Sequence, residues 1–174
     1  LDYLPFELLS VQTTAQADEW AGCTSFAQLS AATLLNPQPA RHVGFQLVTP
    51  TLFKTHQQIM PFPLPKLVVH NLLEKWNLYA PLALPAELKR FAEECLLISR
   101  FELHSRIADL PNAGKRPGAV GSVVYSTSNY DRYWMSLIHT LAQFAFYAGV
   151  GKHTSMGCEQ SRRWEMHERA PQQH

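Results

Sequence analysis

An α+β fold, with an antiparallel sheet carrying helices on one face, is what this sequence predicts. Three observations predict it. Stretches of period-two alternation and stretches of helical periodicity follow one another as strand, helix, strand, strand, helix, strand over residues 41–164. Breakers punctuate the junctions, at Asn36-Pro37-Gln38-Pro39, Pro61 and Pro63, Pro81 and Pro85, and Pro111-Asn112-Ala113-Gly114. The chain is 46% hydrophobic and 17% charged, so it can bury a real core.

Residues 1–13 hold Leu4, Phe6, Leu8 and Val11 in rough alternation, which suggests a strand despite Pro5. Ser25 then caps a helix, with Gln28 at capping-box spacing. Phe26, Leu29, Ala32 and Thr33 or Leu34 form its apolar stripe. Val43, Phe45 and Leu47 alternate with Gly44 and Gln46 as a strand that stops at Thr49-Pro50, and residues 51–63 read as a loop. A helix starts near Pro65, where proline suits the first turn, and buries Val69, Leu72, Leu73 and Trp76. Ala86–Cys95 reads as a second short helix. Phe101 and Leu103 alternate with Arg100, Glu102, His104 and Arg106 in a half-exposed strand. After the turns at 111–114 and Pro117-Gly118, Ala119–Tyr125 pairs back as a hairpin. Asn129 or Asp131 caps a helix from about Arg132 to Ala148, striped by Trp134, Leu137, Ile138, Leu141, Ala145 and Ala148. A short segment through Gln160 to Trp164 closes the series. This order is the split βαβ, ferredoxin-like (βαββαβ, RRM-like) arrangement, a frame shared by RNA-recognition modules and many unrelated proteins.

Net charge is +1, from 15 basic and 14 acidic residues, so bulk electrostatic steering of nucleic acid is not supported and any anion site must be local. Cys23, Cys95 and Cys158 show no ligand or disulfide spacing, which points away from zinc and towards a reducing, cytoplasmic setting. No apolar run reaches membrane-spanning length, so no membrane partner is expected.

The stretch richest in chemistry is Gly149-Val150-Gly151-Lys152-His153-Thr154-Ser155-Met156-Gly157, directly after the long helix. Three glycines bracket a cation and several donors, a composition suited to phosphate. It is not a P-loop, because the spacing is absent and the loop follows its helix. A plain glycine-rich turn is the competing reading. Arg100 and Arg106 share a strand face with His104, and Lys54 follows Thr49-Pro50-Thr51; each lines a groove or a solvated surface. Arg162 and Arg163 lie just past the loop. His70, His139, Trp76 and Trp134 read most simply as packing residues, and Cys158 has no triad partner.

Several stretches together resemble one family, the CRISPR-associated repeat-RNA processing endoribonucleases (Cas six in words) of the RAMP superfamily. They are Phe45-Gln46-Leu47-Val48-Thr49-Pro50-Thr51, the segment Pro65 to Asn77, Pro117 to Tyr125, and the loop Gly149–Gly157, in the family's order over about residues 41–163. The resemblance implies two tandem ferredoxin-like domains. Residues 1–40 are then expected to be the end of the first domain or a linker, 41–164 the C-terminal RAMP domain, and 165–174 a flexible tail. It implies metal-independent cleavage of CRISPR repeat RNA, without a cofactor, by attack of a ribose 2′-hydroxyl on the adjacent phosphate. The products are a cyclic phosphate and a 5′-hydroxyl. The general acid–base histidine belongs to the first domain and is expected to lie outside this chain, so the catalytic residue stays unknown. RNA contacts are expected at Gly149, Gly151, Lys152, His153, Thr154, Ser155, Gly157, Arg106, Lys54 and Arg162. Repeat RNA is the expected partner; other CRISPR effector subunits and a homodimer are compatible with it. The alternative is a non-catalytic RNA-binding or scaffolding subunit of an effector complex. One departure stands out. The family's loop often ends in a second Gly-x-Gly, whereas this one reads Gly157-Cys158-Glu159, placing a carboxylate beside the expected phosphate.

Overall fold

The structure, a computed structural model, describes residues 7–55, 58–110 and 114–164. In chain order the elements are α1 (Phe26–Leu34), β1 (His42–Thr51), β2 (Phe53–Thr55), β3 (Gln58–Met60), α2 (Pro65–Tyr79), α3 (Leu88–Cys95), β4 (Leu96–Leu110), β5 (Gly114–Thr127), α4 (Arg132–Ala148) and β6 (Ser161–Trp164). Four strands form one sheet in the order β4-β5-β1-β6, and every neighbouring pair is antiparallel. With the hairpin β2–β3 set aside, this is the ferredoxin-like order.

The alternation read in β1 decides which side is covered. Val43 and Phe45 join Val123 and Tyr125 of β5 in one buried cluster with Val69, Leu72 and Trp76 of α2 and Leu141 of α4. The helices therefore lie on one face. The other face carries Gln46, Ser122 and Arg162, which the strand register sets side by side. Pro65 starts α2 as its first helical residue, and the Asp131 carboxylate accepts the Trp134 N–H to start α4. From Met135 to Ala142 every residue of α4 is buried, more than one stripe, because α1 packs on its outer side. The capping box of α1 forms as the spacing predicts, between Ser25 and Gln28. Its Thr33 hydroxyl bonds to Thr140, and Phe26 sets its ring edge-on to Trp76.

Four local expectations need correction. Residues 7–13 form no strand, and residues 1–6 lie outside those described. Leu8, Leu9 and Val11 are exposed, so their alternation finds no sheet to join. The loop expected at 51–63 contains a hairpin, with Phe53, Lys54 and Thr55 opposite Met60, Ile59 and Gln58. Pro117-Gly118 is not a turn but part of β5, which continues down to Gly114. Pro117 is tolerated because β1 pairs with β5 only as far as Ala119, leaving that side of the strand unpaired. Gly118 is required by a crossing: a Cβ there would stand 2.9 Å from Pro50 Cβ and 3.0 Å from Thr51 N. Finally, β4 begins at Leu96 and ends at Leu110, so the hairpin is longer at both ends than its alternation suggested. The tail expected at 165–174 lies outside the described residues, as do His56 and residues 111–113.

Candidate nucleic-acid interface

The glycine-rich loop leaves α4 through Gly149, at φ 64, and passes a single 3-10 turn at Thr154–Met156 to Gly157, at φ 74. The backbone donors expected to face a phosphate are used inside the fold. Gly149 N–H donates to Ala145 O, Val150 N–H to Glu159 O, and Lys152 N–H to Leu52 O. Gly151 donates its N–H to Asn71 Oδ1 at 2.8 Å and accepts from Asn71 Nδ2 at 3.1 Å. Lys75, one turn further along α2, donates from Nζ to Ala148 O at 3.1 Å and Gly149 O at 3.0 Å. A cation there also complements the negative end of α4. Asn71 and Lys75 were missed as site residues. Their signal was available: they sit at i,i+4 spacing on the polar border of the Val69–Trp76 stripe.

The loop does cradle a carboxyl group, and it is that of its own Glu159. That carboxylate is buried and accepts the His153 N–H. A Cβ on Gly151 would stand 2.6 Å and 2.7 Å from its two oxygens. Glu159 is also the non-glycine with a positive φ, 68, among the described residues. A glycine would take that conformation without strain. The carboxylate thus points inward, away from the surface, which corrects the expectation that it would repel a bound phosphate.

Burial raises the Glu159 pKa to about 7, against the lowering effect of the His153, Lys152 and Leu52 backbone and of Lys75. Burial likewise lowers Lys75, and the Glu159 charge partly restores it. The fold therefore keeps a proton that the unfolded chain releases near the ordinary value of 4.5. Stability should fall as pH rises from 4.5 to about 7 and stay level above. The slope is at most about 1.4 kcal/mol per pH unit. Glu159→Gln keeps an acceptor for His153 N–H and should flatten that slope in urea titrations across the same window.

With the amides of residues 149–153 engaged inside the fold, the loop's first half serves to place side chains. Lys152 and His153 line a cleft of about 300 Å³ together with Lys54, Gln58 and Ile59 of the β2–β3 hairpin and Arg116 of β5. Lys54, Arg116 and Lys152 are exposed and have no ion-pair partner among the described residues. Three cations from three separate elements converge on one cleft, although the whole chain is nearly neutral. Burial and the neighbouring Lys152 lower the His153 pKa. Its ring therefore offers a neutral hydrogen bond near pH 7 instead of a fourth charge.

The remaining expected residues fall elsewhere. Thr154 is half-buried, and its methyl lies where a Cβ on Gly149 would be, 2.7 Å away. Ser155 and Gly157 are exposed on the loop's outer turn. Arg106 is exposed on β4, opposite Gly118, and does not line the cleft. Arg162 is engaged away from it, with Nε on Gln46 Oε1 at 2.7 Å and Nη1 on Glu19 Oε2 at 3.0 Å, beneath the Trp20 ring. Arg116 was not picked out from the sequence, because it was read as part of a turn. Cys158 packs against Leu52, Ala108 and Leu110, and burial pushes its thiol up, so it is not an activated nucleophile. His139 is buried with Nε2 on Ala40 O, and His70 pairs with Glu74 on the outer side of α2.

These features define a ferredoxin-like α+β domain with a cation-lined cleft beside a glycine-rich loop. The profile of the CRISPR-associated endoribonuclease Cas6 family matches residues 45–158, well over half of the chain, and the chain belongs to that family. Among solved structures it is similar to a Cas6 (TTHA0078) product complex, at 27% identity and a TM-score of 0.74, covering 84% of this chain and 58% of that one. A Cas6 (TTHA0078) substrate mimic complex gives 27% identity and a TM-score of 0.76, covering 86% and 62%. The Thermus thermophilus Cas6 (TTHB231) shares the fold at 24% identity and a TM-score of 0.80, covering 89% and 64%. The chain thus spans less than two thirds of the length of each of these relatives. No curated protein sequence matches it.

Proposed function

We propose that this chain is the C-terminal part of a metal-independent endoribonuclease that binds CRISPR repeat RNA and cuts it to make guide RNAs. Residues 41–164 form its second ferredoxin-like domain, residues 1–40 the end of the first or a linker, and the first domain supplies the general acid–base histidine. The observation that carries this reading is the cleft in which Lys54, Arg116 and Lys152 converge without carboxylate partners among the described residues. Phosphate of a sugar-phosphate chain is the ligand such a cleft suits, since each cation can replace condensed counterions. The glycine loop contributes geometry: Asn71, Lys75 and Glu159 hold its backbone so that Lys152 and His153 face outward. Gly149, Gly151 and Gly157 act through backbone shape, Thr154 and Ser155 lie on the loop's outer turn, and Arg106 extends the basic surface along β4.

Arg162 is a brace between β1 and the segment around Glu19, and the amides of Gly149, Val150, Gly151, Lys152 and His153 are engaged within the fold. The test is cleavage of repeat RNA by the full-length gene product in excess EDTA. Cutting that persists and leaves a 2′,3′-cyclic phosphate is expected. Loss of cutting in EDTA would overturn metal independence. Tight binding without any cutting would favour the alternative, a non-catalytic RNA-binding or scaffolding subunit.

A further inference from the structure

A second pocket lies along the middle of the β4–β5 hairpin. It measures about 190 Å³ and is lined by Pro61, Phe62, Phe101, Leu103, Ser105 and Ala119. Pockets for drug-sized ligands run to about 300–1,000 Å³, so this one suits a single ring system. Phe62 and Phe101 stand with ring centroids 5.8 Å apart and planes at 81°, two walls at right angles. Phe101 is 59% exposed on β4. β4 is that edge strand, so its outer N–H and C=O groups are unpaired by any neighbour in the sheet. The lining is mostly apolar, with His104 and Ser105 as its polar side chains.

We infer that this pocket takes one unpaired base of the RNA whose backbone occupies the cation cleft, stacked on Phe101 with its edge towards the rim of β4. The inference rests on the RNA reading proposed above. Three things on the molecule favour a base over a protein segment. The pocket's floor meets a flat ring on two sides, which is how aromatic platforms hold single-stranded nucleic acid. The described hairpin strands carry Arg100, Arg106, Lys115 and Arg116 against Glu102 and Asp109, a local excess of positive charge on a chain of net +1. Both pockets also share their framework. Gln58 and Ile59 line the cleft while Pro61 and Phe62, just beyond the same strand, line this pocket, and Arg116 and Gly118 do the same on β5.

The experiment uses the 174-residue chain and single-stranded oligoribonucleotides of repeat sequence carrying 2-aminopurine at one position at a time. Stacking should quench one position more than its neighbours. Phe101→Ala should remove that quenching and weaken binding about fivefold, the low end for one stacked base, with an unchanged salt slope. Phe101→Leu should behave as Phe101→Ala, and Phe101→Tyr should restore quenching and affinity. Exposure of Phe101 makes each variant tolerable to the fold, and circular dichroism checks it. Salt-dependent binding with uniform quenching, or with equal affinity for Phe101→Ala and parent, would overturn the base pocket and leave the cleft reading standing. That outcome would favour a protein segment as occupant. Absence of any salt-dependent binding would overturn both.

Discussion

Replacing Gly151 by alanine is expected to destabilise the chain by about 2–6 kcal/mol, a large part of a domain's stability. Two causes add. The residue sits at φ 129, where a side chain is strained, at a cost of about 1–3 kcal/mol. The new methyl would also meet the Glu159 carboxylate at 2.6 Å and 2.7 Å in a buried site, and overpacking costs about 1–3 kcal/mol more. Neither neighbour can yield cheaply. Glu159 is held by the His153 N–H, and Gly151 is held on both its N–H and its C=O by Asn71. Urea unfolding of Gly151→Ala measures the loss. Combining it with Glu159→Gly removes the side chain that the methyl strikes. The double variant should therefore lose at least 1 kcal/mol less than the sum of the singles, a coupling of the size expected for residues in contact. Simple additivity would mean that the methyl is accommodated elsewhere.

That pairing shows where sequence reasoning stopped. Three glycines around a lysine suggest an anion site, and the loop does enclose a carboxyl group, but it belongs to a side chain of the same loop. Nothing local to Gly149–Gly157 says that Glu159 turns inward. The clue is indirect: a glutamate where the family resemblance leads one to expect glycine, at a position of positive φ. Long-range partners were equally hidden. Asn71 lies 80 residues from Gly151 and Lys75 lies 73 from Ala148, so only the assembled fold brings α2 under the loop.

The fold was more legible because its signals are periodic and local. Val43, Phe45 and Leu47 alternate, Val69 to Trp76 repeat at helical spacing, and both mark surfaces that are in fact buried. The misreading with the largest consequence has a simple cause. Pro117-Gly118 looked like a turn because proline and glycine usually punctuate strands. Here proline occupies an unpaired strand side, and glycine admits the crossing at Pro50. That error displaced Arg116 from β5 and so kept it out of the candidate site. The hairpin at 53–60 was too short for its alternation to show.

The second large effect follows from the cleft itself. Lys54, Arg116 and Lys152 are exposed, so replacing all three by alanine should leave the fold within about 1 kcal/mol of the parent. RNA binding should change far more. Each cation that displaces a counterion from a single strand contributes about 0.7 to the salt slope, so the triple variant should lose about two units of slope. Near 0.1 M salt that corresponds to affinity lower on the order of 100-fold. Arg162→Ala serves as the control, because its guanidinium is held by Gln46 and Glu19 on the other side of the sheet from the helices. It should leave the slope unchanged.

The most direct measurement is therefore a salt titration of repeat-RNA affinity for the parent chain and for the Lys54→Ala, Arg116→Ala, Lys152→Ala triple variant. A slope shallower by about two units in the triple variant, with folding intact, is what phosphate binding in this cleft predicts. Parallel slopes and equal affinities would contradict it.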